Sequence, residues 1–249
     1  KLANRESGVI NVSRKDHPLI LPGRYLNIYN HHHIDAMEGD VSLFINFYEM
    51  LLGKAHWKVM EQIIAFYVQC PGKKVRWSPI IVSDEGGGKG LLGEAMGRIL
   101  GQLNVATNVG YKDVITTHST IIRDKILVIL NEVVVHQVHA EKKEVTNALK
   151  SLITDDFIII NEKHKTPVNH LNTTNIWVYS NKKDCLHLDP GSRRYYVIHV
   201  KHTTEDFEKW DKEGKFDELF KWLENKGANY LYDYFLNKVK IEDKKLFQG

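Results

Sequence analysis

The sequence predicts an α/β chain, a parallel sheet flanked by helices, with small helical segments before and after it. Two observations on strands carry this. The runs Pro79-Ile80-Ile81-Val82 and Ile126-Leu127-Val128-Ile129-Leu130 are continuously apolar, as strands covered on both faces must be. The third observation is helical spacing: around and between these runs, apolar residues recur three and four apart, which gathers them on one helix face.

Residues 1–39 are polar and turn-rich, with short apolar pieces such as Leu19-Ile20-Leu21-Pro22-Gly23 and no sustained period, and read as a leading arm or linker. Residues 40–74 read as an N-terminal helical segment. Leu43, Phe44, Phe47, Met50 and Leu51 mark one helix and Met60, Ile63, Ile64 and Tyr67 a second, broken near Gly53 and ended by Pro71-Gly72. Residues 75–202 form the predicted core. It holds a strand at 79–82, a helix at 91–103, a loop, a strand at 125–130, a helix at 141–152, a hairpin of 157–161 with a return strand from Val168, and strands at 175–179 and 195–200. In residues 203–249, Phe207, Trp210, Phe216, Leu219, Phe220, Trp222, Leu223, Tyr230, Leu231, Tyr234 and Phe235 alternate with charge and predict C-terminal helices.

Composition excludes some classes and leaves others open. With 249 residues, 43% hydrophobic and 26% charged, the chain can bury a core, and no apolar run approaches the roughly 18 residues of a membrane span. A soluble protein with no membrane partner is expected. The balance of 34 Lys+Arg against 31 Asp+Glu, net +3, permits nucleic-acid binding without demanding it. Cys70 and Cys185 make neither a disulfide framework nor a four-ligand zinc site, so a reducing, cytoplasmic setting is expected. The chain opens on Lys1 with no signal-peptide pattern and reads as a piece of a longer polypeptide.

The chemistry begins at Ser83-Asp84-Glu85-Gly86-Gly87-Gly88-Lys89-Gly90, followed by Leu91, between a predicted strand and a predicted helix. Backbone N–H groups and a helix N-terminus can surround phosphate oxygens there. Glycines let the backbone approach closely, and Lys89 would reach the β- and γ-phosphates of ATP. Two positions depart from the usual phosphate-loop pattern: Ser83 replaces the leading Gly, and Gly90 replaces the Ser or Thr whose hydroxyl holds Mg²⁺. The bland alternative is a flexible turn. Downstream, Asn131-Glu132 ends the second apolar strand. Glu132 suits activation of the attacking water, and Asn131 with Glu132 would contact Mg²⁺ indirectly. Here the alternative is an ordinary strand end.

Next come Tyr179-Ser180-Asn181 at a strand end and Gly191-Ser192-Arg193-Arg194-Tyr195-Tyr196 before the last strand. Taken in order, these motifs resemble superfamily 3 helicases, with an AAA+-like P-loop NTPase core. More narrowly, the chain is similar to the C-terminal helicase parts of phage and plasmid primase-polymerases, over residues 77–200. The resemblance implies that Asn181 is a polar sensor of the γ-phosphate, and that Arg193 or Arg194 is an arginine finger acting across subunits of a ring, usually a hexamer. It also implies a DNA-tracking hairpin tip, here Lys163, His164 and Lys165, which would contact single-stranded DNA phosphates. Translocation from 3′ to 5′ and a linked N-terminal primase or polymerase module follow from the same resemblance. The expected function is an ATP-driven DNA helicase motor. A nucleotide-binding ring or DNA-loading module with little hydrolysis is the alternative, motivated by Gly90 and Asn131. A small-molecule kinase would account for Lys89 but for none of the later motifs.

Other features read as structural. His31-His32-His33, His136 and His139 lack matching acids or cysteines for a metal site. Trp210 and Trp222 fall at helical spacing and read as core. Lys142-Lys143 reads as surface charge on a helix.

Overall fold

Side chains alternate along the central strands, and that alternation builds two cores. The computed structural model describes residues 20–21, 25–26, 32–115, 120–131, 139–162, 164–186, 188, 191–242 and 247. In chain order, β1 (Ile20–Leu21) pairs antiparallel with β2 (Tyr25–Leu26), and α1 (Ser42–Leu52) and α2 (Lys54–Gln69) follow. Then come β3 (Ser78–Val82), α3 (Lys89–Leu100), β4 (Val105–Val109), α4 (Tyr111–Ile115), β5 (Leu127–Leu130) and α5 (His139–Thr154). The hairpin β6 (Phe157–Ile160) and β7 (Val168–Leu171) precedes β8 (Asn175–Ser180) and β9 (Tyr195–His199). Helices α6 (Thr204–Lys212), α7 (Lys215–Trp222) and α8 (Ala228–Asp233) end the fold, with a last helical turn at Tyr234–Lys238.

The main sheet has five parallel strands in the order β4-β5-β8-β3-β9. The three inner strands are buried along their whole length. On one face, Ile81, Leu127, Ile129, Trp177 and Tyr179 pack with α1, α2, α3 and the C-terminal helices in one apolar cluster. On the other face, Ile80, Val82, Val128, Leu130, Ile176 and Val178 pack with Val145, Leu149 and Ile153 of α5 and with Ile158 and Ile160 of β6. Each large side chain buried this way contributes ~1.5–3 kcal/mol. Trp177 buries its ring and still satisfies its indole N–H, which donates to the Tyr67 hydroxyl at 3.1 Å. Among the described residues, no helix is long and apolar enough to cross a membrane.

Two expectations are corrected. The stretch read as a loop after the first core helix contains β4, an edge strand whose middle residues Thr107 and Asn108 are exposed, so it carries no continuous apolar run. Helix α3 starts at Lys89 and stops at Leu100, short of residue 103, because Gly101 turns the chain at φ 98°. Leu103, counted as helical by its apolarity, is 66% exposed.

Because all five strands run one way, the sheet has two distinct ends. The loop after β3, Asn131 just past β5 and Asn181 just past β8 lie together at the C-terminal end. At the other end, Lys74 Nζ donates to Leu152 O and Thr174 O, both at 2.6 Å, and Arg76 Nη1 donates to Thr154 O at 2.8 Å. These two cations satisfy carbonyls left open where α5 ends. Burial pushes the Lys74 ammonium down to about 7, with nearby Arg76 adding to the effect.

Candidate functional site

The loop after β3 is shaped by its glycines and gripped from both flanks. Gly86 and Gly88 have φ of 79° and 75°, the left-handed region that L side chains resist. Gly87 is required by proximity: a Cβ there would stand 2.8 Å from the Phe207 ring of α6. From α1, the Tyr48 hydroxyl donates to Gly88 O at 3.1 Å. From α6, Thr204 N–H and Oγ1 reach Asp84 Oδ2 at 3.2 and 3.3 Å. The Asp84 carboxylate is thus turned onto a helix N-terminus, where negative charge is favoured.

Lys89 opens α3, and its ammonium folds back on the loop, donating to Ser83 O at 2.8 Å, Asp84 O at 3.0 Å and Ser83 Oγ. Burial pulls its pKa below the usual lysine range, against the pull of Asp84 and Glu85. A half-buried ammonium held only by neutral oxygens beside a helix N-terminus is well placed to accept an anion.

Strand order brings the other polar groups here. Since β8 lies between β3 and β5, its end delivers Asn181 beside the loop, where Nδ2 donates to Glu85 Oε1 at 3.2 Å. A cleft of about 400 Å³ results, walled by residues 85–91 on one side and by Asn131, Tyr179, Ser180 and Asn181 on the other. Asn131 Nδ2 donates to Asn108 Oδ1, while Asn131 Oδ1 is buried with no hydrogen-bond partner. Asn108 makes this contact from a left-handed conformation, φ 57°, at a register shift of β4. Glu132, expected as the base, lies outside the described residues.

The oxygen donors present would fit a magnesium ion whose other ligands came from a bound phosphate group and water. The orphaned Asn131 Oδ1 and the Glu85 carboxylate are hard oxygen ligands, the kind Mg²⁺ prefers. Nothing lies within 4 Å of a Cβ built at Gly90, so the missing hydroxyl leaves open space. Among the described residues, no three His, Cys, Asp or Glu side chains group to hold a metal unaided.

The remaining predicted residues lie elsewhere. Arg194 precedes β9, and its carbonyl accepts from Ser78 N–H at 2.9 Å at the start of β3. Arg193 and Arg194 therefore sit at the N-terminal end of the sheet, ~16 Å from the glycine loop at about 3.3 Å per strand residue. Arg193 also borders a second cavity of about 490 Å³ with Trp77 and Tyr196. His164 and Lys165 occupy the exposed turn between β6 and β7, and Lys163 lies outside the described residues. His32 Nε2 pairs with Arg98 O at 2.6 Å; His31, His136 and the side chain of His139 are not described. Sequence reasoning missed Tyr48, Asn108, Thr204 and Phe207, none of which carries a local motif.

Residues 81–194 match the model of a family of unknown function, DUF5906. A DNA primase-polymerase of Nitratiruptor phage NrS-1 is 26% identical over 230 residues, spanning 92% of this chain and 28% of the phage protein. Two apo structures of the NrS-1 C-terminal region superpose with TM-scores of 0.72 and 0.75 at 21% identity, covering 90% and 89% of this chain and 52% of theirs. The chain thus spans about a quarter of the curated relative and half of the solved region. It shares that region's mixed α/β fold.

Proposed function

We propose that this chain is the motor part of a replication protein, an ATP-driven helicase of the superfamily 3 kind acting on single-stranded DNA as a ring. One observation carries the reading: the glycine loop, Lys89, Asn131 and Asn181 share a single cleft. Lys89 would exchange the Ser83 and Asp84 carbonyls for phosphate oxygens, a stronger, charge-assisted partner. Asn181 would release Glu85 and turn its amide to the γ-phosphate or the attacking water. Asn131 Oδ1, unpartnered now, would orient metal-bound water, and Glu132 would take the proton from the nucleophile. Magnesium, when bound, supplies neutralisation of phosphate charge.

The arginines support assembly as part of this reading. Placed at the far end of the sheet, Arg193 and Arg194 would serve the cleft of a neighbouring copy, in a ring that the resemblance suggests is hexameric. The similarity to a phage primase-polymerase supports a linked N-terminal module and a setting in the host cytoplasm. Hydrolysis of Mg²⁺-ATP with and without single-stranded DNA, compared between the unaltered chain and Glu132→Gln, tests the proposal. DNA-stimulated turnover that the substitution abolishes is expected; turnover that survives Glu132→Gln would contradict it.

A second reading has its own observation. Gly90 has no hydroxyl, and Asn131 offers a neutral amide oxygen in place of a carboxylate, so metal holding is weak for a motor. A ring that binds nucleotide and hydrolyses it poorly fits these facts. Tight ATP binding with negligible phosphate release from the assembled protein would select it.

A further inference from the structure

An acid stands among the cations of the β6–β7 turn. Glu162 Oε1 accepts from the Arg123 guanidinium, and its Oε2 accepts from the Lys165 ammonium. The Lys165 backbone N–H closes the turn on Glu162 O at 3.1 Å. Arg123 does not belong to the hairpin; it comes from residues 120–125, the turn that leads into β5.

That turn is a firm mount. Thr174 Oγ1 reaches Ile122 O at 2.7 Å and Lys125 O at 3.0 Å. Arg123 Nε lies 3.3 Å from Asp124 Oδ2, and Asp124 Oδ1 lies 3.2 Å from Nε2 of His170, which β7 buries to 4% exposure. The Asp124–His170 contact has ion-pair distance without hydrogen-bond geometry. Arg123 is therefore fixed beside the hairpin tip by residues outside the tip.

Arg123 and Lys165 remain accessible, with side chains 40% and 67% exposed. The Glu162 side chain is 23% exposed, so the pair opens to solvent from the cations' side, where a competing anion can replace the carboxylate by exchanging one charge-assisted partner for another. Two cations converging on the two oxygens of one carboxylate also present the arrangement that two phosphate oxygens require. The adjoining outer face of β6 exposes Phe157 and Ile159, while Ile158 and Ile160 are buried. An apolar, partly aromatic surface beside a cation pair suits unstacked bases.

We propose that Arg123 and Lys165 form a phosphate-binding pair for single-stranded DNA, and that Glu162 is an internal stand-in for the phosphate, which the strand displaces on binding. This rests on the DNA-motor reading and adds to it a residue from outside the hairpin and a built-in competitor. Fluorescence anisotropy of a labelled oligo(dT) across a salt series tests it on the assembled protein. Glu162→Gln should tighten binding several-fold, because the competing charge is gone. Arg123→Ala should weaken binding and flatten the dependence of log affinity on log salt by about 0.7, the share of one single-strand phosphate. Arg123→Lys, which keeps the charge, should retain the slope, and unfolding midpoints identify any variant that fails to fold. Unchanged affinity and slope in Arg123→Ala would overturn the pair while leaving the motor reading intact, as would Glu162→Gln weakening binding. An unaltered protein that binds no oligonucleotide would overturn the DNA-motor reading itself.

Discussion

The two ends of the parallel sheet are built from different chemistry. At the C-terminal end, glycines and amides line a cleft in which Lys89 is tied to neutral carbonyls. At the N-terminal end stand Lys74, Arg76, Arg123 and Arg194, each beside a strand start or the hairpin. Strand direction alone separates the two sets, since a parallel sheet sends every strand end one way. An anion in the cleft is beyond reach of the basal arginines of its own chain, so under the proposed function those arginines would serve the cleft of another copy.

The sharpest way to break this contrast is Lys89→Ala. It should cost on the order of 10²–10³-fold in hydrolysis, the loss typical of one preorganised charge-stabilising donor, while Lys165→Ala at the other end leaves nucleotide affinity unchanged by equilibrium titration. Equal losses from both would erase the distinction between ends.

Packing at the cleft comes next in size. Gly87→Ala pushes a methyl against Phe207 and should destabilise by ~1–3 kcal/mol in denaturant melts. Phe207→Ala alone should cost more, ~3–5 kcal/mol, and the double variant should fall short of the sum because the clash is gone. Strict additivity would mean that α6 does not press on the loop.

At the basal end, stability should depend on pH through Lys74. Its folded pKa, about 7, lies below the ordinary lysine value of 10.5, so between those values the unfolded chain binds the extra proton and stability rises with pH. The slope for one proton cannot exceed ~1.4 kcal/mol per pH unit. Above pH 10 the buried hydroxyls of Tyr48, Tyr67 and Tyr179, whose pKa values are pushed up by burial, reverse the trend. Lys74→Met should flatten melts recorded from pH 7 to 10; an unchanged slope would assign it elsewhere.

The smallest effect belongs to Gly90→Ser. Open space at this position predicts a stability change within a few tenths of a kcal/mol, in the stabilising direction for a helix, together with a lower Mg²⁺ requirement for nucleotide binding. A variant that folds well but needs no less Mg²⁺ would place the ion away from this residue.

What was legible in the sequence follows the same division. Strands β3, β5 and β8 were readable because both their faces are covered, which leaves an apolar run; β4 was not, because an edge strand can keep Thr107 and Asn108 in its middle. The glycines and Lys89 are neighbours in the chain and announce themselves. Tyr48, Phe207 and Arg123 are not, since each reaches its partner across many residues through packing. That Asn131 and Asn181 share a cleft depends on β8 inserting between β3 and β5, an order that succession along the chain does not state.

The central claim, that one copy's cleft works with another copy's arginines, is tested by mixing two inactive proteins. One carries Lys89→Ala, with its basal end intact; the other carries Arg193→Ala and Arg194→Ala, with its cleft intact. Each alone should hydrolyse ATP at background rate, and the mixture should regain a measurable part of the unaltered activity. A mixture that stays at background, or an arginine variant that hydrolyses ATP unaided, would contradict the account.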